Sequence, residues 1–177
     1  PYPLAPGAIV SLFGSNLATR EARATGLPLP TKLDDVTVTV NGAPAPLYFV
    51  SPAQVNYQIP PGTALGIATI TNTNADGVQY AASVEVTSVA PGLFSASGSG
   101  QGLAAANALR VRADGTETYE SVTQPIDLGP ETDRVYLLLY GTGIRRRSSL
   151  GAVRARIGGT EVPVSYAGPQ PQYPGLD

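Results

Sequence analysis

Four residue types are missing from this 177-residue chain: cysteine, histidine, methionine and tryptophan. Without cysteine there is no disulfide, no thiolate nucleophile and no sulfur ligand for a metal. Without histidine the commonest general base and metal ligand goes too. Ser-His-Asp and Cys-His arrangements, and zinc sites built on these side chains, are therefore excluded. A chain lacking all four residue types resists oxidation, which suits exposure to air and light. Charge is also scarce. Asp, Glu, Lys and Arg make up 14% of the residues, against about 25% in an average globular protein. The net charge of −2 gives no general attraction to nucleic acid or to an anionic membrane surface. No apolar run approaches the roughly 20 residues of a membrane span, and no signal peptide is recognisable. The chain opens Pro1-Tyr2-Pro3 rather than with methionine, so a processed product or an excised fragment is expected.

What the chain does have is glycine (20), proline (17) and recurrent valine and threonine, the composition of many short strands separated by turns. Asp35-Val36-Thr37-Val38-Thr39-Val40 alternates with period two and ends at Asn41-Gly42, a hairpin signal. Further strands are expected at 8–14, 45–50, 54–59, 65–72, 78–86, 103–113, 116–123, 135–141, 152–157 and 162–167. Asp76-Gly77, Asp114-Gly115 and Gly158-Gly159 supply turns. No sustained 3.6-residue apolar period is present. Ser95–Gly102 reads as a linker or crossover. Its Gly98-Ser99-Gly100-Gln101-Gly102 core lacks the strand, helix and Lys-Ser/Thr of a phosphate-cradling loop.

An internal repeat organises these segments. Val10–Leu17 matches Leu137–Ile144, with Gly14 aligned to Gly141. Val36–Gly42 matches Val153–Gly159. Pro46, Phe49 and Pro52 then align with Pro163, Tyr166 and Pro169 at identical spacing. The expected fold class is all-β: two tandem immunoglobulin-like β-sandwich units, 1–92 and 93–177. The second is expected to be incomplete at its C-terminus, because it stops before the equivalents of Gln54–Ile59 and the following hairpin. In both units the apolar residues of the repeat (Val36, Val38 and Val40; Val153, Ala155 and Ile157) should face inward, with Thr37, Thr39, Arg154 and Arg156 outward.

On Gly7–Leu17 and Val38–Pro46 the first unit resembles the IPT/TIG immunoglobulin-like domains of plexins and transcription factors. On Leu47–Pro60, Val89–Phe94, Pro125–Asp133 and Leu139–Arg145 the whole chain resembles an uncharacterised C-terminal domain of secreted proteins from Solibacter and related Acidobacteria. That resemblance implies an exported protein and no assigned activity. The related sequences carry a longer stretch between the equivalents of Glu120 and Pro125, and continue past the equivalent of Asp177.

The remaining chemistry is sparse. Asp34, Asp35, Asp76, Asp114, Glu117, Glu120, Asp127, Glu131 and Asp133 lack EF-hand spacing, and no metal site or cofactor is expected. Leu128–Asp133 reads as a solvated loop rather than a cation site. Lys32 is the only lysine, and its Pro-rich setting disfavours a Lys–Asn isopeptide bond. Arg145, Arg146 and Arg147 form the one basic run and, with Tyr173, are the candidate interaction residues. The nine tyrosines are expected mainly in core or sandwich-edge packing, with a sugar-stacking platform as the alternative. Gly14, Asn41, Gly42, Asp76, Gly77, Asp114, Gly115, Gly141 and Gly159 are assigned to turns and backbone structure.

These readings lead to a non-catalytic structural or interaction module outside the cell or on its surface, with a protein partner, copies of itself included. Two alternatives are kept. One is a filament subunit that completes its second unit head-to-tail with a strand such as Pro1–Pro6 from another chain. The other is a carbohydrate-binding accessory module.

Overall fold

The computed structural model describes residues 2–177. In chain order the strands are β1 (Ile9–Phe13), β2 (Ala22–Arg23), β3 (Lys32–Leu33), β4 (Val36–Val40), β5 (Ala43–Pro44), β6 (Leu47–Val50), β7 (Gln54–Gln58), β8 (Gly66–Thr73) and β9 (Gln79–Val86). There follow β10 (Gly92–Leu93), β11 (Ala106–Val111), β12 (Glu117–Ser121), β13 (Arg134–Leu139), β14 (Gly141–Thr142), a single 3-10 turn at Leu150–Ala152, β15 (Ala155–Ile157) and β16 (Thr160–Val162). The protein is all-β, as its alternating valines and threonines predict. The strand expected at 162–167 extends only to Val162, since Pro163 cannot donate to a ladder.

Two compact units are present. One comprises residues up to Pro91 together with Thr142–Asp177, and the other is Gly92–Gly141. The expected units were 1–92 and 93–177; Thr142–Asp177 groups instead with the residues up to Pro91. The Ser95–Gly102 stretch, expected to link or cross over, closes on itself inside the smaller unit. Ser95 bridges Ala104, and the Ala96 N–H donates to the Leu103 carbonyl at 2.8 Å.

The larger unit is a β-sandwich. One sheet has the order β1-β7-β6-β2, and the other has the order β3-β4-β8-β9 with β5 paired to β4. Period-two patterning explains which side chains close the core. Val36, Val38 and Val40 are buried, and so are Val55 and Tyr57 on β7, Ala68 and Ile70 on β8, and Leu47 and Val50 on β6. Thr37 and Thr39 face outward, as expected. Asn41 and Gly42 both adopt left-handed φ values (50° and 80°), the two-residue turn that suits the strands' twist.

The turns of the repeat share backbone conformation, although the match to Val36–Val40 is strand only from Ala155 to Ile157. Gly158 and Gly159, aligned to Asn41 and Gly42, have φ of 56° and 85°. Gly143, aligned to Asn16, has φ 79° against 56°. The hairpins also share register, Val40 opposite Ala43 and Ile157 opposite Thr160. Burial is not shared. Arg154 and Arg156 are exposed as expected, Val153 and Ala155 are half-buried, and Ile157 is 56% exposed instead of facing a core. Between the other matched pair, Gly14 packs beside the Leu17 side chain and Gly141 against the Gly92 carbonyl, neither with positive φ. Gly77 and Gly115 do take left-handed φ, while Asp114 caps its turn by accepting the Thr116 N–H at 2.8 Å.

The smaller unit is a three-stranded sheet of order β12-β11-β13. Among its residues only Ala108 and Arg110 are buried side chains of any consequence. The Arg110 guanidinium donates to Glu120 Oε1 (2.7 Å) and Oε2 (3.3 Å), to Asp133 Oδ2 (3.2 Å), and to the carbonyls of Asp127 and Leu128. The Leu128–Asp133 loop is exposed from Leu128 to Thr132, as a solvated loop should be; its Leu128 carbonyl and Asp133 carboxylate alone turn to the Arg110 guanidinium. Gly129, with φ 66°, sits against Arg110 where a Cβ would collide.

Candidate binding face

The outer face of the β1-β7-β6-β2 sheet follows from the same alternation. Val10 and Leu12 point into the core, so Ile9, Ser11 and Phe13 point out. On β7, Val55 and Tyr57 are inward, leaving Gln54, Asn56 and Gln58 outward. A register shift between Leu47 and Phe49 on β6 brings Phe49 opposite Asn56, and Arg23 on β2 lies opposite Phe49. The registers therefore define three cross-strand rows: Phe13 with Gln54; Ser11, Asn56, Phe49 and Arg23; and Ile9 with Gln58.

The third row is covered by the chain itself. Gly175, with φ 80°, lies on Ile9, the Gly7 carbonyl and the Gln58 amide so closely that a Cβ would stand 2.6 Å from Ile9 Cγ1. Gln58 Nε2 donates to the Gly7 carbonyl at 3.0 Å. The Tyr48 hydroxyl donates to the Pro174 carbonyl, and burial raises the Tyr48 pKa, opposed by the nearby Arg145 charge. The Thr142 hydroxyl accepts from the Ile9 N–H at 2.8 Å and donates to the Gly175 carbonyl at 2.7 Å. Asp177, its side chain 1% exposed, takes the Arg145 guanidinium at 2.9 Å and the Ile144 N–H at 2.9 Å.

The other two rows are open. Phe13 is 70% exposed. Gln54 Nε2 donates to Asn56 Oδ1 at 2.7 Å, which fixes both amides and leaves Gln54 Oε1 as an acceptor and Asn56 Nδ2 as a donor. The Arg23 guanidinium lies 4.6 Å from the Phe49 ring centroid, an attractive cation–π distance.

The residues singled out from sequence lie elsewhere. Arg145 is held by Asp177 and by the Leu176 carbonyl, Arg146 donates to the Pro61 carbonyl at 2.7 Å, and Arg147 packs against Gly168. Tyr173, 58% exposed, directly precedes the Pro174 that meets Tyr48. Most tyrosines are not core residues. Tyr57 is 1% exposed, while Tyr2, Tyr119, Tyr166 and Tyr173 are all more than half exposed. Among the described residues no group of three or more carboxylates gathers as a metal site. No helix there is long and apolar enough to cross a membrane. Within the expected donor segment Pro1–Pro6, Leu4 is engaged in its own chain: its N–H donates to the Glu85 carbonyl at 2.9 Å and the Thr87 N–H donates to the Leu4 carbonyl at 2.8 Å. Pro1 lies outside the described residues.

None of the residues of the open rows, Phe13, Gln54, Asn56, Phe49 and Arg23, is singled out by the sequence as a site residue; the one local signal is an aromatic at an outward position of β1.

Two facing antiparallel sheets around one apolar core define an immunoglobulin-like β-sandwich. The chain belongs to the IPT/TIG domain family, whose family model matches residues 1–103. Among solved structures, it is similar to Bacteroides ovatus mixed-linkage glucan utilization locus SGBP-B in complex with a mixed-linkage heptasaccharide. The identity is 19% and the TM-score 0.36, over 90% of this chain and 40% of that one. The chain therefore spans less than half the length of that protein. Comparison with curated proteins gave no match.

Proposed function

We propose that this chain is a non-catalytic recognition module of an exported or cell-surface protein, and that it recognises its partner through the open half of the β1-β7-β6-β2 face. The observation that carries this reading is the pairing of an aromatic ring 70% exposed on Phe13 with fixed, unsaturated amides on Gln54 and Asn56. No carboxylate or other acid–base group stands in those two rows. The resemblance to secreted acidobacterial domains, and the absence of cysteine, methionine, tryptophan and histidine, support a location outside the cytoplasm. Fused to a fluorescent reporter, the protein should decorate washed bacterial envelopes without turnover in hydrolase or oxidoreductase assays. Phe13→Arg should abolish the decoration. Turnover, or decoration indifferent to Phe13→Arg, would overturn this reading.

A second reading is supported by β9. It is an edge strand, and Leu4 pairs with it only near Val86. Because Glu85 and Thr87 direct their peptide groups to Leu4, those of Gln79, Ala81 and Ser83 point to the same open side. Such an edge accepts a strand from another chain, a second copy included. Sedimentation of the wild type against Ala81→Pro, across a concentration series, tests it. Wild-type assembly that the proline removes is expected, and a monomer at every concentration excludes it.

A further inference from the structure

We infer that the ligand of the open face is a neutral glycan, bound as an oligosaccharide rather than as a single sugar. This inference rests on the recognition reading above and names its partner class. The two open rows offer three chemistries side by side: an exposed ring on Phe13, a fixed acceptor–donor pair on Gln54 and Asn56, and the Arg23 guanidinium propped on Phe49. Their only formal charge is Arg23.

Charge and polarity eliminate other occupants. An acidic peptide would find one cation for its several carboxylates. An apolar helix or lipid tail would bury the Gln54 and Asn56 amides and the Arg23 N–H groups without partners, at the full desolvation cost. A pyranose chain satisfies every group present. Its C–H faces stack on the Phe13 ring, and its uncharged hydroxyls both donate to Gln54 Oε1 and accept from Asn56 Nδ2 and Arg23.

The spacing sets the size. Phe13 on β1 and Phe49 on β6 are separated by β7 and by one row. At ordinary sheet dimensions this is about 10 Å across the strands and about 7 Å along them. One sugar cannot reach from the ring of Phe13 to the guanidinium over Phe49, whereas a short chain can. The direction of the ligand is set as well. It crosses the strands diagonally, away from the Ile9–Gln58 row that Gly175 already covers.

The test is affinity electrophoresis of the purified full chain through gels containing a soluble mixed-linkage glucan, xyloglucan, galactomannan or polygalacturonate. Reducing-end assays are run on the same mixtures. At least one neutral polysaccharide should retard the wild type. Phe13→Ala and the double variant Gln54→Ala/Asn56→Ala should each weaken that retardation about tenfold or more. Phe13→Tyr should retain it, and so should Tyr119→Ala, which removes an exposed ring from the other unit. Because Phe13 is largely exposed, an unchanged melting temperature in Phe13→Ala shows that folding is intact. Retardation by no neutral polysaccharide, or retardation indifferent to Phe13→Ala, overturns the glycan assignment. So does retardation by polygalacturonate alone, lost in Arg23→Ala but not in Phe13→Ala. Release of reducing ends by the wild type would instead overturn the non-catalytic reading itself.

Discussion

Val36, Val38, Val40, Leu47, Val55 and Tyr57 are closed to solvent between two sheets, whereas the sheet of β11, β12 and β13 closes little beyond Ala108 and the Arg110 side chain. Both units were built from similar alternating sequences. In the first, inward positions of two sheets meet, and apolar burial supplies the stability. In the second, inward positions of a single sheet are half-exposed, and a guanidinium with five acceptors stands where a leucine would be expected. The comparison teaches that alternation specifies which side chains share a face, while a second sheet decides whether that face becomes a core.

The largest way to break this contrast is in the apolar core. Leu47→Ala removes a fully buried side chain and should cost about 2–5 kcal/mol, read as an early shift of the urea transition. Next is the polar centre. Arg110→Ala should accelerate amide exchange across β11–β13 while leaving β4 and β8 protected. Arg110→Met, which keeps the bulk but loses the donors, should behave likewise, since Glu120 and Asp133 keep no cation. Acid should act on the same place. The hydrogen bond from Arg110, with the Arg110 charge, holds Glu120 below its usual carboxylate range. A depressed folded pKa contributes stability that is full above about pH 4.3 and is lost as pH falls through the folded value. Protection of the β11–β13 amides relative to intrinsic exchange should therefore fall below that pH before protection of β4 and β8 does.

A smaller effect compares the two matched hairpins. Gly42→Ala and Gly159→Ala each place a Cβ at left-handed φ, a local cost of about 1 kcal/mol. Gly42→Ala should lower the global transition by that amount, because its hairpin closes on the buried core. Gly159→Ala should leave that transition in place and loosen only residues 155–162. Smallest of all is Arg154→Ala. It breaks a pair with Glu161 whose side chains are 70% and 49% exposed, and should change stability by less than about 1 kcal/mol.

The sequence made the strands legible wherever two facing sheets reward alternation, as at 36–40 and 54–58. It also made the Asn41-Gly42 and Gly158-Gly159 turns legible, since left-handed pairs leave a local signature. It could not reveal that Ile157 stays exposed, because its pattern is the same as that of Val40 and the difference lies in what stands opposite. The arginine run was conspicuous by composition, yet Arg145 is paired with Asp177 through contacts that no local spacing encodes. Phe13, Gln54 and Asn56 come together only through the β1–β7 register, and Phe49 joins them only through the irregularity on β6. Each is an ordinary strand residue when read alone.

The Thr142 hydroxyl joins peptide groups at Ile9 and Gly175, the former 133 positions away in sequence. Closing a loop of that length costs on the order of 4 kcal/mol of chain entropy, too much for one side chain to gain before the sheets exist. The pin is therefore a late event in folding, set after the sandwich has assembled. Stopped-flow measurements on Thr142→Val should show faster unfolding and a nearly unchanged folding rate. The hydroxyl then acts as a latch on how long the native state lasts and has little influence on how quickly it is found.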